Sequence, residues 1–236
     1  MLTVRKSNER GHADHGWLNT YHTFSFASYY DPEHMGFRSL RVLNDDRVAA
    51  SRGFGAHAHR DMEILTYVLE GSLVHKDSMG HVEVLGPNEI QKMSAGSGVV
   101  HSEFNGSEDE PVHFLQIWIE PAVQETEPSY QQIPFNPEEK LGRLRLLAAP
   151  KAAVNGQAAA IHQDAFVYAA VLGSGESLKQ TLAPGRHAYV QVARGDLSVN
   201  GQTLGEGDGA AVSGESDLCF AGAGPKGSEF LLFDLA

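Results

Sequence analysis

The chain has 236 residues, 42% of them apolar, a formal net charge of −12 and a single cysteine, Cys219. That length supports two cores of ordinary domain size without covalent staples, and one cysteine excludes an intrachain disulfide. The acidic balance argues against direct binding to nucleic acid or anionic membranes, and no apolar run approaches the length of a membrane span. The polar start, Met1 to Arg10, has no signal-peptide core, which points to the cytoplasm.

In chain order, residues 10 to 36 are rich in aromatics and glycine and lack a helical period. Thr23 to Tyr29 alternates as a strand does, with Phe24 and Phe26 on one face, either packed in a core or walling a site for a flat ligand. Arg38 to Leu43 reads as a strand and Asn44-Asp45-Asp46 as the turn after it. Glu63 to Leu69 is a nearly continuous apolar run, suited to a buried strand that Glu70-Gly71 ends. Leu73 to His75, Val82 to Leu85, Glu89 to Met93 and His113 to Ile119 read as further short strands, with turn residues between them. Such spacing is that of a sandwich or barrel, an all-β fold. Pro121 to Lys140 carries four prolines and is the best linker candidate, although Tyr130 to Phe135 has the pattern of an edge strand. Strand-like segments then resume at Arg143 to Leu147, Ala165 to Leu172, Ala188 to Ala193, Leu197 to Val199, Ala210 to Val212 and Glu229 to Leu235.

The later segments echo the earlier ones. Thr66-Tyr67-Val68-Leu69-Glu70-Gly71-Ser72-Leu73 aligns with Val190-Gln191-Val192-Ala193-Arg194-Gly195-Asp196-Leu197, which suggests a duplicated fold. Two consecutive domains are expected, over residues 1–130 and 131–236. The chemistry belongs to the first, because ten of the 12 histidines lie at or before His113.

Two stretches carry that chemistry. In Gly53 to Glu63, His57 and His59 stand two residues apart; in Gly98 to Asn105, His101 and Glu103 do. On a strand, residues i and i+2 point to the same face, so each pair aims both side chains one way, and neighbouring strands would bring four ligands together. Imidazoles with a carboxylate suit a divalent transition metal. The second half offers His187 in Ala183 to Tyr189 with no partner, and Phe220-Ala221-Gly222 where His101 to Glu103 would fall. No metal is expected there.

These motifs resemble those of the cupins. His57, His59, Glu63 and Gly71 match the first cupin motif, with one extra residue before Gly71 and Ser51 in place of its leading glycine. Gly98, His101 and Asn105 match the second, with Gly96 for its proline and Ile90 for its leading glycine. Within the cupins the text is similar to the pirin family, above all its bacterial members. The likeness includes His15-Gly16-Trp17, His22 to Phe26, Met35-Gly36-Phe37, Asn44-Asp45-Asp46 and Ile161-His162-Gln163-Asp164. The resemblance implies a bicupin of two consecutive β-barrels with one metal in the first. It implies His57, His59, His101 and Glu103 as ligands, with Glu63 a neighbouring or core-edge group. The metal it implies is Fe(II), with Zn, Cu, Ni, Mn or Co as other occupants. It also implies quercetin 2,3-dioxygenase activity, in which a flavonol and O2 are the small-molecule partners. The flavonol loses its 3-hydroxyl proton, with Glu103 as the base, and its central ring opens with release of carbon monoxide. The competing implication is a metal-dependent regulator that acts through a protein partner.

Overall fold

Alternation of buried and exposed residues along short segments produces an architecture of strands alone, joined by three single-turn 3-10 helices. The computed structural model describes residues 1–236. No helix is long and apolar enough to cross a membrane. The chain divides into two compact units, each built from more than one segment. Gly11–Phe135 and Lys151–Gln163 form the N-terminal unit; Met1–Arg10, Asn136–Pro150 and Asp164–Ala236 form the C-terminal unit.

With strands numbered along the chain, the N-terminal unit contains β2 (Gly11–Asp14), β3 (Leu18–His22), β4 (Leu40–Val48), β5 (Gly53–His59), β6 (Glu63–Glu70), β7 (Leu73–Asp77), β8 (Val82–Leu85), β9 (Glu89–Ser94), β10 (Val99–Asn105), β11 (Val112–Ile119), β12 (Ser129–Pro134) and β14 (Ala159–Ile161). Seven of these form one antiparallel sheet in the order β12-β9-β6-β11-β4-β3-β2, and four form another in the order β5-β10-β7-β8. Apolar side chains of the larger sheet (Leu18, Val48, Val68, Phe114) meet Leu73 and Leu85 of the smaller one in a shared core. Burying a side chain such as Phe114 contributes about 1.5–3 kcal/mol. The expected β-barrel, a double-stranded β-helix or jelly-roll, is present as two facing sheets.

The C-terminal unit contains β1 (Leu2–Arg5), β13 (Arg145–Pro150), β15 (Ala165–Leu172), β16 (Ser177–Thr181), β17 (His187–Val199), β18 (Gln202–Leu204), β19 (Gly209–Ser213) and β20 (Asp217–Leu235). Its sheet runs β1-β19-β17-β20-β15-β13, with β16 on β20 and β18 on β17. The internal echo is visible in the backbone. Gly71, between β6 and β7, and Gly195, within β17, both adopt the left-handed conformation, at φ 76° and 68°. At each, a Cβ would collide with a carbonyl oxygen of a neighbouring segment, so the matched glycines serve one shared turn geometry.

Two segments differ from the sequence reading. Asn44-Asp45-Asp46 is not a turn but the middle of β4, and all three are buried. Each is satisfied there: Asn44 by His22 at 2.9 Å, Asp45 by His113 at 2.8 Å, and Asp46 by Thr20. Polar side chains with such partners stay inside a sheet that composition alone would end. Thr23 to Tyr29 is not a strand; its one ladder contact is an isolated bridge between Phe26 and Tyr29. Phe24 is buried in the core, while Phe26 packs edge-on against Trp118 at 5.3 Å. Within the linker candidate, Ser129–Pro134 pairs with β9 as the edge of the larger sheet.

Candidate metal centre

Strands β5 and β10 lie antiparallel with His57 directly opposite His101. Along β10 burial alternates strictly, so His101, Glu103 and Asn105 point inward while Val100 and Phe104 face solvent. The ladder shifts register between His101 and Glu103, a bulge that turns the carboxylate relative to the imidazoles. The rings of His57, His59 and His101 converge, with centroids 4.5–4.8 Å apart. One donor atom from each lies within 4.8 Å of the other two, and His101 and Glu103 form an overlapping group with His75.

The imidazoles are turned for ligation. The His57 Nδ1 atom lies 2.7 Å from the Gly55 carbonyl oxygen, so Nδ1–H donates there and Nε2 faces inward. His57 Nε2 and His101 Nε2 are 3.0 Å apart, so one donates to the other or both direct lone pairs at a cation. Burial, then the neighbouring His57, lowers the His59 pKa to about 4; burial, then His57 and His59, takes His101 to about 3. Both are neutral at physiological pH, as a metal ligand must be.

The larger sheet supplies the opposite wall of this chamber, a cavity of about 60 Å³ that all four sequence-derived candidates line. Asn44, Asp46, Ile64, Gln116 and Trp118 face them across it. Burial, and then the charge of Asp46, raises the Glu103 pKa to about 7. Asp46 is itself raised to about 7 by burial, with Asp45 adding to the shift and the Thr20 hydrogen bond opposing it. Gln116 Nε2 donates to Glu103 Oε2 at 3.0 Å. Thr66 Oγ1 lies 3.1 Å from Gln116 Oε1 and 3.5 Å from Glu103 Oε1. A hydroxyl has one proton, and the shorter contact takes it, so Glu103 Oε1 keeps its lone pairs for another partner. Three converging imidazoles and two buried carboxyls thus share a chamber whose lining includes no lysine or arginine. A divalent transition metal fits that donor set and would supply the missing positive charge.

Glu63, part of the first cupin motif, stands elsewhere. On β6, Ile64 lines the chamber and Thr66 reaches Glu103, so Glu63 has the opposite parity. Its oxygens meet Ser94 at 2.7 Å and His162 at 3.0 Å. Sequence reasoning missed Asp46 and Gln116, which carry no spacing signal, and His75. His75 is fully buried, with Nε2 bound to Asp77 at 3.0 Å. Nδ1 of His75, Nδ1 of His101 and Nε1 of Trp118 are buried without a hydrogen-bond partner. In the C-terminal unit, β16 pairs with β20 as β5 does with β10, but there Phe220 stacks on Phe230 at 4.9 Å and packs with Leu178. His187 bonds Ser213 at 2.8 Å.

Residues 3–119 match the family profile described as Pirin, and residues 146–235 the one described as the quercetinase C-terminal cupin domain. A quercetin 2,3-dioxygenase of Escherichia coli K12 is 45% identical over 235 residues, covering 100% of this chain and 99% of that one. A pirin-like protein of Caulobacter vibrioides is 39% identical over 236 residues, covering 100% of both. The crystal structure of the bacterial pirin YhhW from E. coli in complex with nickel(II) aligns with a TM-score of 0.92 and 44% identity, over 100% of this chain and 99% of that one. By full-length identity and by a shared bicupin fold, the chain belongs to the pirin family.

Proposed function

We propose that the chamber holds one divalent transition metal, Fe(II), through His57, His59, His101 and Glu103, and that the protein is a dioxygenase cleaving flavonols such as quercetin with O2. The observation that carries this reading is the chamber itself, with three imidazoles and two carboxyls converging and no cationic side chain to balance them. The names of the full-length relatives support the substrate class. When bound, the metal would polarise the flavonol oxygens and pass electron density to O2.

The chain's own residues supply the remainder. Glu103 takes the 3-hydroxyl proton at Oε1, the oxygen that Gln116 and Thr66 leave free. A buried carboxyl whose pKa is raised toward neutrality is matched to that exchange. Trp118 offers an unpaired N–H to a substrate oxygen, and Phe26 with Trp118 keeps water out of the chamber. A three-ring flavonol needs roughly 300 Å³ or more, so its rings cannot all enter a space of about 60 Å³. His59 also lines an outer groove of about 390 Å³, beside Ser97 and Gly98, which offers that room. The single exposed cysteine suits a cytoplasmic enzyme.

The test is anaerobic quercetin binding to metal-loaded protein, followed by O2. Carbon monoxide formed in step with quercetin loss is the expected result; quercetin loss without carbon monoxide, or none at all, overturns the assignment. The narrow chamber favours one other reading, a regulator in which the metal sets shape and a protein partner is the target. In that case the metal-loaded protein consumes no O2 with any flavonol, and metal removal alters partner binding instead.

A further inference from the structure

The parity that points Ile64 and Thr66 into the metal chamber sends Glu63 to the other face of β6, and the same alternation on β9 sends Lys92 and Ser94 with it. A cavity of about 520 Å³ opens on that side of the N-terminal unit, between β9, β12, β14 and the turn at Lys151. Its volume falls in the range of sites for small organic ligands. Nothing in the metal-centred reading uses it.

The cavity has an unusual floor. Lys92 is only 2% exposed, yet no carboxylate lies within ion-pair distance of its ammonium. Nζ donates to Ser94 Oγ and Ser129 Oγ, both at 2.9 Å, and an ammonium carries a third N–H. Burial disfavours the charged amine, and the Glu63 charge, one hydroxyl away, offsets only part of that. Glu63 cannot compete for a ligand, because its two oxygens are engaged by Ser94 and by His162 Nδ1. With Nδ1 so held, His162 presents Nε2, which has no protein partner, and Lys151 stands on the rim with its ammonium unpaired. The one unengaged carboxylate on the wall is the exposed Glu127.

We propose that this cavity binds a small organic molecule or ion bearing an oxyanion, held between the ammonium of Lys92, Nε2 of His162 and the ammonium of Lys151. Carboxylate and phosphate share the required chemistry: a compact negative charge with several acceptor oxygens. Lys92, His162 and Lys151 are not among the side chains that line the metal chamber, and the proposed contacts do not involve the metal. It is therefore independent of the flavonol reading.

The test is calorimetry on metal-loaded full-length protein at low ionic strength, with succinate and inorganic phosphate as probes and neutral succinamide as control. One site per chain is expected for at least one anion, weakening with added salt, with no binding of succinamide. Lys92→Met and His162→Gln should each weaken it by about tenfold or more, the loss expected for a hydrogen bond to a charged group. Lys151→Ala, which changes an exposed side chain, should weaken it severalfold and carries the test if Lys92→Met fails to fold. His101→Ala, which removes an inward-facing group of the other chamber, should leave the anion affinity unchanged. The proposal fails if neither anion binds more tightly than succinamide, if Lys151→Ala and His162→Gln both bind as the native protein does, or if His101→Ala abolishes binding. The two anion arms decide whether a carboxylate or a phosphate is the preferred ligand.

Discussion

Two glutamates, forty residues apart in sequence, show how strand parity assigns chemistry. Glu103 shares the inward face of β10 with His101, whereas Glu63 sits on the outward face of β6. Glu103→Gln is expected to reduce metal affinity by about 100-fold or more, because a neutral amide is a poor ligand beside imidazoles. Glu63→Gln should leave metal content near native and instead cost about 1–3 kcal/mol of stability, since it disturbs the buried Ser94 and His162 contacts. Elemental analysis and denaturant unfolding of both variants check this; a metal-free Glu63→Gln protein reverses the ligand assignment. His75 makes a second prediction. The Asp77 carboxylate holds its Nε2–H, which leaves Nδ1 as an acceptor within the same buried group as His101. That nitrogen has no hydrogen-bond partner and lies close to the donor atoms of His101 and Glu103, so His75→Leu should weaken metal binding by about 10- to 100-fold with the three inner histidines intact. Competition with a chelator measures it. At this scale the convergence of His57, His59, His101 and Glu103 on one chamber was legible from i,i+2 spacing. The choice of Glu103 over Glu63 rested on family resemblance, and Asp46, Gln116 and His75 were invisible because nothing in spacing marks a buried polar group with a distant partner.

Among the elements, strand positions were legible where apolar runs are bounded by glycine, as β6 and β15 are. Length was legible poorly. β17 reads as two short segments and β20 as its last stretch alone, Glu229 to Leu235, because the bulges near Val192 and Gly195 interrupt the sequence pattern while the hydrogen-bonded ladder continues past them. Leu2–Arg5 carries too little apolar signal to read as a strand, yet β1 pairs with β19 from Leu2↔Val212 to Arg5↔Gly209. What holds the following turn is Asp208, which accepts from Lys6 Nζ at 2.8 Å, Ser7 N at 2.7 Å and Gly205 N at 3.0 Å. Burial pushes its carboxyl upward, but the hydrogen bonds of Lys6, Gly205 and Ser7 together outweigh it and hold the pKa below the ordinary value. A carboxyl depressed on folding contributes stability that is full above its unfolded value of about 3.9 and is lost as pH falls through the folded value. Asp208→Asn should therefore cost about 1–3 kcal/mol near neutral pH and flatten the acid side of the stability profile. Urea unfolding across that pH range checks both parts. An unchanged acid limb would mean that the contact does not form in solution.

At the scale of the whole molecule, one fold is used twice with different interiors. The N-terminal unit lines its chamber with imidazoles and carboxyls, and the C-terminal unit fills the corresponding space with Phe220, Phe230 and Leu178. One metal per chain is the expected stoichiometry. His101→Ala should abolish metal binding, whereas His187→Ala, whose side chain bonds Ser213 in the C-terminal unit and is not among the residues lining the chamber, should retain it. Metal analysis after metal-supplemented growth gives the answer, and equal losses in both variants would mean that the second unit also binds metal. The duplication was legible from the echo of Thr66 to Leu73 in Val190 to Leu197, but the exchange of segments was not, because sequence repeats do not reveal which core a short strand joins. That exchange bears on synthesis. Ribosomes deliver a chain from its N-terminus, and domains generally fold as they emerge. Here β1 emerges well before its partner β19, while Lys151–Gln163 completes the N-terminal unit only after Gly11–Phe135 is already outside. Neither unit can close in the order it is made, so β1 waits without its partner strand until β19 appears.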